Sequence, residues 1–159
     1  MKIAIISPRF PFSGRVPLVP PILEYLGALT LQAQPDADIQ LIDANVSEVR
    51  PEDIVADIIG ISSMTATVTW AYGFADSLRR LGKRVVLGGI HPTALPEEAK
   101  KHADAVVVGE AESVWKKLLQ DALLGKLDPF YYGKRLDLND LPLPLTGRLK
   151  GPYKFRAVF

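Results

Sequence analysis

The sequence contains no cysteine. Disulfides, thiolate zinc sites, cysteine-held iron–sulfur clusters and a cysteine nucleophile are therefore excluded within its 159 residues. Long apolar runs are also lacking. The longest, such as Ile3 to Ile6 and Ala105 to Val108, fall far short of the roughly 20 residues that span a bilayer, so no membrane partner is expected. Lys2 precedes only four apolar residues before Ser7, Pro8 and Arg9 interrupt them. That pattern does not make a signal peptide, and a cytoplasmic location is the expectation. Nor is there an excess of one charge: nineteen basic and eighteen acidic residues leave a net charge of +1, which gives no field to attract nucleic acid. No internal repeat is present.

What remains is the composition of an ordinary globular domain, 48% hydrophobic and 23% charged. A chain of this length buries roughly two thirds of its unfolded surface. Five short apolar runs, Ile3–Ser7, Ile39–Asp43, Ile58–Ser62, Val85–Gly89 and Ala105–Gly109, read as strands. Four of them are nearly continuous in Ile, Val, Leu and Ala, as strands covered on both faces require. Helical patterns lie between them. Pro20 and Pro21 open one through Ile22, Leu23, Leu26 and Leu29, Pro51 a short second, and Ala66 to Leu81 form a third, stopped by Gly82. Pro96 starts a fourth, and Glu112 to Leu124 form a fifth, with Val114, Leu118, Leu119 and Ala122 as its buried stripe. Alternation of this kind predicts an α/β fold with a flavodoxin-like, doubly wound, parallel five-stranded sheet of order 2-1-3-4-5 and helices on both faces. The core domain is expected over residues 1–130. Residues 131–159, with Pro142, Pro144, Gly147, Gly151 and Pro152, are expected to be an extended linker. Its last five residues, Phe155 to Phe159, have strand character.

In an open parallel sheet, ligands bind beyond the carboxyl ends of the strands. The residues there are Ser7 to Arg15 after the first strand, Ser62-Ser63-Met64-Thr65 after the third, Gly88-Gly89-Ile90-His91-Pro92-Thr93 after the fourth and Gly109-Glu110-Ala111-Glu112 after the fifth. Paired glycines let a large ligand lie against the backbone, and hydroxyls supply hydrogen bonds. Each residue also has a plain structural reading. Ser62, Ser63 and Thr65 could cap the long helix, Glu110 and Glu112 could complement a helix dipole, and His91 could hold a turn. His102 lies in a charged stretch and is expected to be solvated. Trp70, Trp115, Tyr131 and Tyr132 read as packing residues. Prolines stand where a GxGxxG turn needs amides, which disfavours nicotinamide and flavin dinucleotides, and no GxxxxGK[ST] loop exists. No catalytic or metal-ligating set is assigned.

The series Gly60-Ile61-Ser62-Ser63-Met64-Thr65-Ala66-Thr67, Gly88-Gly89-Ile90-His91-Pro92-Thr93 and Val107-Val108-Gly109-Glu110-Ala111-Glu112 closely resembles the N-terminal cobalamin-binding domain of cobalamin-dependent radical SAM enzymes. The proline-rich opening before Ile22 and the closing Asp140-Leu141-Pro142-Leu143-Pro144 extend the resemblance over nearly the whole chain. It implies cobalamin as the cofactor, with the corrin across the strand ends and the nucleotide tail beside the third and fourth strands. Ser62, Ser63, Thr65, Gly88, Gly89, His91, Thr93, Gly109 and Glu110 are the cobalamin neighbours it implies. It further implies a radical SAM barrel as partner, beyond residues 131–159. The four-iron cluster and S-adenosylmethionine would belong to that barrel, which would perform methyl transfer or other radical chemistry. A DxHxxG motif is absent, so no histidine is expected beneath cobalt. The rival expectation is a non-catalytic sensor or interaction module on the same sheet.

Overall fold

A computed structural model describes residues 1–11, 18–137, 139, 141–149 and 151–154. The strand character read at Phe155 to Phe159, Asp140, and Ser13 to Arg15 of the first loop lie outside the described residues. Strands β1 (Lys2–Ser7), β2 (Asp38–Asp43), β3 (Ile58–Ser62), β4 (Val85–Gly88), β5 (Ala105–Val108) and β6 (Phe130–Tyr132) form one parallel sheet of order β2-β1-β3-β4-β5-β6. Helices α1 (Pro21–Ala33), α2 (Val68–Arg80), α3 (Ile90–Ala94), α4 (Pro96–Lys100) and α5 (Trp115–Leu123) fill the crossovers, with single 3-10 turns at Pro51–Asp53, Thr65–Thr67 and Ala111–Ser113. Among the described residues, no helix is long and apolar enough to cross a membrane.

The alternation of side chains along each strand divides the core in two. Ile3, Ile5, Ile58, Val86 and Val107 pack under α1 and α5, while Ala4, Ile6, Ile59, Ile61, Val85, Leu87 and Val106 pack under α2 and α4. Burying each such aliphatic side chain contributes about 1.5–3 kcal/mol before the entropy of ordering it is counted. On α2 the buried face is Ala71, Phe74, Ala75 and Leu78. On α5 it is Trp115, Leu118, Leu119 and Ala122, so Trp115 takes the place expected for Val114. Its indole Nε1 donates to Thr30 Oγ1 at 2.9 Å, and that hydroxyl donates to Leu26 O at 2.7 Å. This buried chain of hydrogen bonds joins α1 to α5.

The expected count of five strands is corrected to six. Phe130-Tyr131-Tyr132 follows Pro129 as a run too short to register as a strand, yet Tyr131 pairs with Val107 in the parallel ladder. The Tyr131 ring is buried, and its hydroxyl donates to Asp121 Oδ2 at 2.8 Å and accepts from the Asp128 amide at 3.0 Å. The boundary expected at residue 130 therefore falls inside a strand. The following segment returns to the body. Leu145 N and Gly147 N donate to the backbone oxygen and Oε1 of Glu24, Leu149 is buried in the α1–α5 core, and Tyr153 OH donates to Asp43 Oδ2. A Cβ on Gly27 would stand 3.1 Å from Leu145 Cδ1, so α1 accepts this segment because it carries a glycine there.

Two outcomes follow from these attachments. Leu149→Ala should lower stability by about 2–3 kcal/mol in urea unfolding, and the Leu145 and Gly147 amides should exchange slowly with deuterium. The Asp121 carboxyl is held below its ordinary 3.8 by Lys117 first and Tyr131 second. Its contribution is thus complete above that ordinary value and lost as pH falls through the depressed one. Asp121→Asn should flatten that part of the acid unfolding curve.

Candidate functional site

Parallel pairing brings the ends of β3 and β4 together, with Ser62 opposite Gly88. The chain beyond them is tightly fastened. Ser63 N donates to Gly88 O at 2.9 Å, and His91 N donates to Ser63 O at 3.3 Å. Gly89 has φ +96°, and a Cβ there would lie 2.5 Å from Ser63 O and 2.9 Å from Ser63 N. Only glycine fits, and the reason is the neighbouring backbone. Gly88 is different: a Cβ there would meet Val107 Cβ at an ordinary 3.6 Å. Gly60, Ser62 and Gly88 share the sheet face under α1 and α5, where the Trp115 ring comes within 3.4 Å of the Cβ position of Gly60. At the ends of β3 and β4 this face therefore carries only small residues, Ser62 and Gly88.

The neighbouring strand end is fastened in the same manner. The Gly109 amide donates to Thr93 Oγ1 at 3.0 Å, tying the β4 and β5 loops. Gly109 has φ +84°, and Gly133 approaches so closely that a Cβ on it would overlap Glu110 O. Glu110 itself is exposed. On α1, the Tyr25 hydroxyl is buried beside Glu112 and in the field of Glu110; burial first, and then these carboxylates, push its pKa well above the ordinary tyrosine value. After β1, Asn45 holds the loop through Pro8 O and the Phe10 amide, and Arg9 Nε donates to Ala44 O.

The structure thus gathers Ser62, Ser63, Thr65, Gly88, Gly89 and His91 at one place, with Thr93, Gly109 and Glu110 one strand further along the same edge. Ser63 is the most informative of them. Its side chain is buried, and Oγ has no hydrogen-bond partner, an arrangement costing about 1–3 kcal/mol unless a bound group completes it. The helix-cap reading does not hold for it: the 3-10 turn opening α2 is closed by Thr67 Oγ1 and the Met64 backbone. His91 is 7% exposed, and Nδ1 lies 3.1 Å from Thr65 Oγ1 while Nε2 lies 3.1 Å from Glu98 Oε1.

His102 is not simply solvated as expected. It stacks on Tyr72 with centroids 4.2 Å apart, and its Nδ1 lies 3.0 Å from both Asp76 oxygens. Sequence reasoning also missed Met64 and Ile90, which are 43% and 72% exposed beside the serine and glycine pairs. The available signal was a large apolar residue standing alone among polar ones just past a strand end. Trp70 stacks on Phe74, 4.6 Å away on α2, and Trp115 and Tyr131 are core residues. Among the described residues, no three histidine or carboxylate side chains converge as a metal site.

A model of the B12 binding domain family matches residues 19–119. The chain is 42% identical over 117 residues to bacteriochlorophyllide d C-8(2)-methyltransferase of Chlorobaculum tepidum, a match covering 74% of this chain and 25% of that protein. It is 36% identical over 100 residues to bacteriochlorophyllide d C-12(1)-methyltransferase of the same organism, covering 62% and 22%. The chain spans about a quarter of the length of these relatives. A solved structure described as the cobalamin-dependent S-adenosylmethionine radical enzyme OxsB with aqua-cobalamin bound shares the fold, with a TM-score of 0.61 at 20% identity over 80% of this chain and 19% of that one.

The geometry separates the two glycines experimentally. Gly89→Ala should lower the melting temperature markedly, because Ser63 must move to admit the methyl group, whereas Gly88→Ala should melt close to wild type. Equal melting of both variants would remove the distinction.

Proposed function

Because the chain belongs to the B12 binding domain family, we propose that it holds cobalamin at the carboxyl ends of β3, β4 and β5, as the cofactor-binding part of a larger cobalamin-dependent radical SAM enzyme. The observation that carries this reading is the gathering of Ser62, Thr65, Gly88 and Gly89 where the ends of β3 and β4 meet, within the span the family model matches. The local chemistry fits the cofactor. Exposed Met64 and Ile90 offer apolar surface to a broad ring, hydroxyls and carboxylates at the rim offer partners to its amides, and the small residues at the ends of β3 and β4 give an extended tail a path along the sheet.

Cobalamin, when bound, supplies a cobalt centre able to carry a methyl group. The residues of this chain bind and orient it. Ser62 and Ser63 offer hydrogen bonds to the tail, Gly88 leaves it room, and Thr65 and Glu110 face the periphery. Gly89, Thr93 and Gly109 act one step back, by holding the loops in register. Both nitrogens of His91 are already engaged, and the stretch from Ser7 to Pro21 holds no histidine, so neither His91 nor the β1 loop offers an imidazole to cobalt. Residues 131–159 would connect to the radical SAM barrel, which would bring S-adenosylmethionine and an iron–sulfur cluster, for which this chain has no cysteine ligand. Methyl transfer is favoured for the parent because both relatives are named as methyltransferases.

The protein mixed with hydroxocobalamin and desalted should stay pink at near-equal stoichiometry. Retention at background level would overturn the reading and favour a sensor or interaction module. With cob(II)alamin bound, electron paramagnetic resonance spectra of wild type and His91→Ala should superimpose. An axial nitrogen splitting lost in the variant would show that the histidine reaches cobalt after all.

A further inference from the structure

His91, Glu98 and Thr65 form a relay, and for a neutral ring its direction follows from hydrogen-bonding capacity. The Glu98 carboxyl is held below its ordinary value, chiefly by the bond from His91, so near neutral pH it is an ion with acceptors only. It therefore calls for a proton on His91 Nε2, 3.1 Å away. In the neutral form of the ring, Nδ1 then carries a bare lone pair. Thr65 Oγ1 lies 3.1 Å from that nitrogen, and the only proton available to join them is that of the hydroxyl. Thr65 spends its donor inward. What the oxygen of this exposed residue then offers at the strand-end edge is lone pairs.

The surroundings hold this arrangement in place. The His91 ring is buried, the Tyr72 ring meets it edge-on at 6.0 Å, and His91 N is tied to Ser63 O. The Tyr72 hydroxyl, pushed up to about 12 by burial first and Glu98 second, stays protonated beside the same carboxylate. Nothing here gives the ring a reason to turn over.

We infer that His91 and Glu98 are positioning residues that make Thr65 a hydrogen-bond acceptor at the rim of the cofactor cradle, so that the site selects a corrinoid bearing a neutral carboxamide there and rejects one bearing a carboxylate. This rests on the cobalamin reading above. A primary amide presents N–H donors that match the threonine oxygen. A carboxylate presents a second set of acceptors, and two facing acceptors with no proton between them repel.

The test has two arms. Nitrogen-15 NMR of the histidine-labelled protein without cofactor should show His91 protonated on Nε2 and bare on Nδ1; a proton on Nδ1 would overturn the relay. In the second arm, affinities are measured by absorbance titration for hydroxocobalamin and for its b-, d- and e-monocarboxylic acids. At least one acid should bind about tenfold or more weakly than the amide to wild type, as loss of one hydrogen bond at a desolvated site implies. That preference should vanish in Thr65→Val. It should survive in His91→Asn, whose amide oxygen can take the place of Nδ1, and be lost in His91→Leu, with circular dichroism melts confirming that each variant is folded. Equal binding of all acids to wild type, or the same preference in Thr65→Val, would overturn the selectivity while leaving the cofactor assignment intact. No binding of hydroxocobalamin to wild type would overturn the assignment, and the selectivity with it.

Discussion

The close backbone approach between the ends of β3 and β4 is the constraint on which the candidate site depends. Ser63 is fastened to Gly88 by its amide and to His91 by its carbonyl, and the positive φ of Gly89 lets the two loops touch where no side chain could intervene. Everything informative in the region takes its position from that contact. It buries the Ser63 hydroxyl, carries His91 across to Thr65, and leaves Met64 and Ile90 no place except the surface.

This arrangement also divides the labour among residues that look alike in sequence. Gly88 and Gly89 are adjacent and identical, yet one is a structural necessity and the other is spare room. Thr65 and Thr93 each follow a strand, yet Thr93 meets the Gly109 amide while Thr65 meets the His91 ring. Such differences decide which side chains a ligand can reach.

The strand order over β1 to β5 and the doubly wound architecture were legible because continuous aliphatic runs separated by amphipathic patterns admit few arrangements. Even strand ends came out within a residue: β3 is Ile58–Ser62 as read, and β4 stops at Gly88, one residue early. β6 was illegible because three residues carry no period, and its evidence lies in the pairing of Tyr131 with Val107. At the site, the loops that would carry it were readable from the sheet rule, but the roles within them were not. Nothing in the sequence says that Gly133 will press against Glu110, or that His91 will meet Glu98 seven residues on and Thr65 twenty-six residues back. Those contacts depend on the register of neighbouring loops, which composition does not encode locally. His102 illustrates the same limit: its charged neighbours suggested solvent, and the stacking partner Tyr72 comes from α2.

Glu24 sits in the first turn of α1, and both its backbone oxygen and its carboxylate receive amides from the segment around Leu145 and Gly147. The same helix carries Tyr25, whose hydroxyl lies beside Glu112 in the loop after β5. The chain around Leu145 is thus buckled to the helix that borders that loop, and α1 cannot shift without drawing the strap along with it.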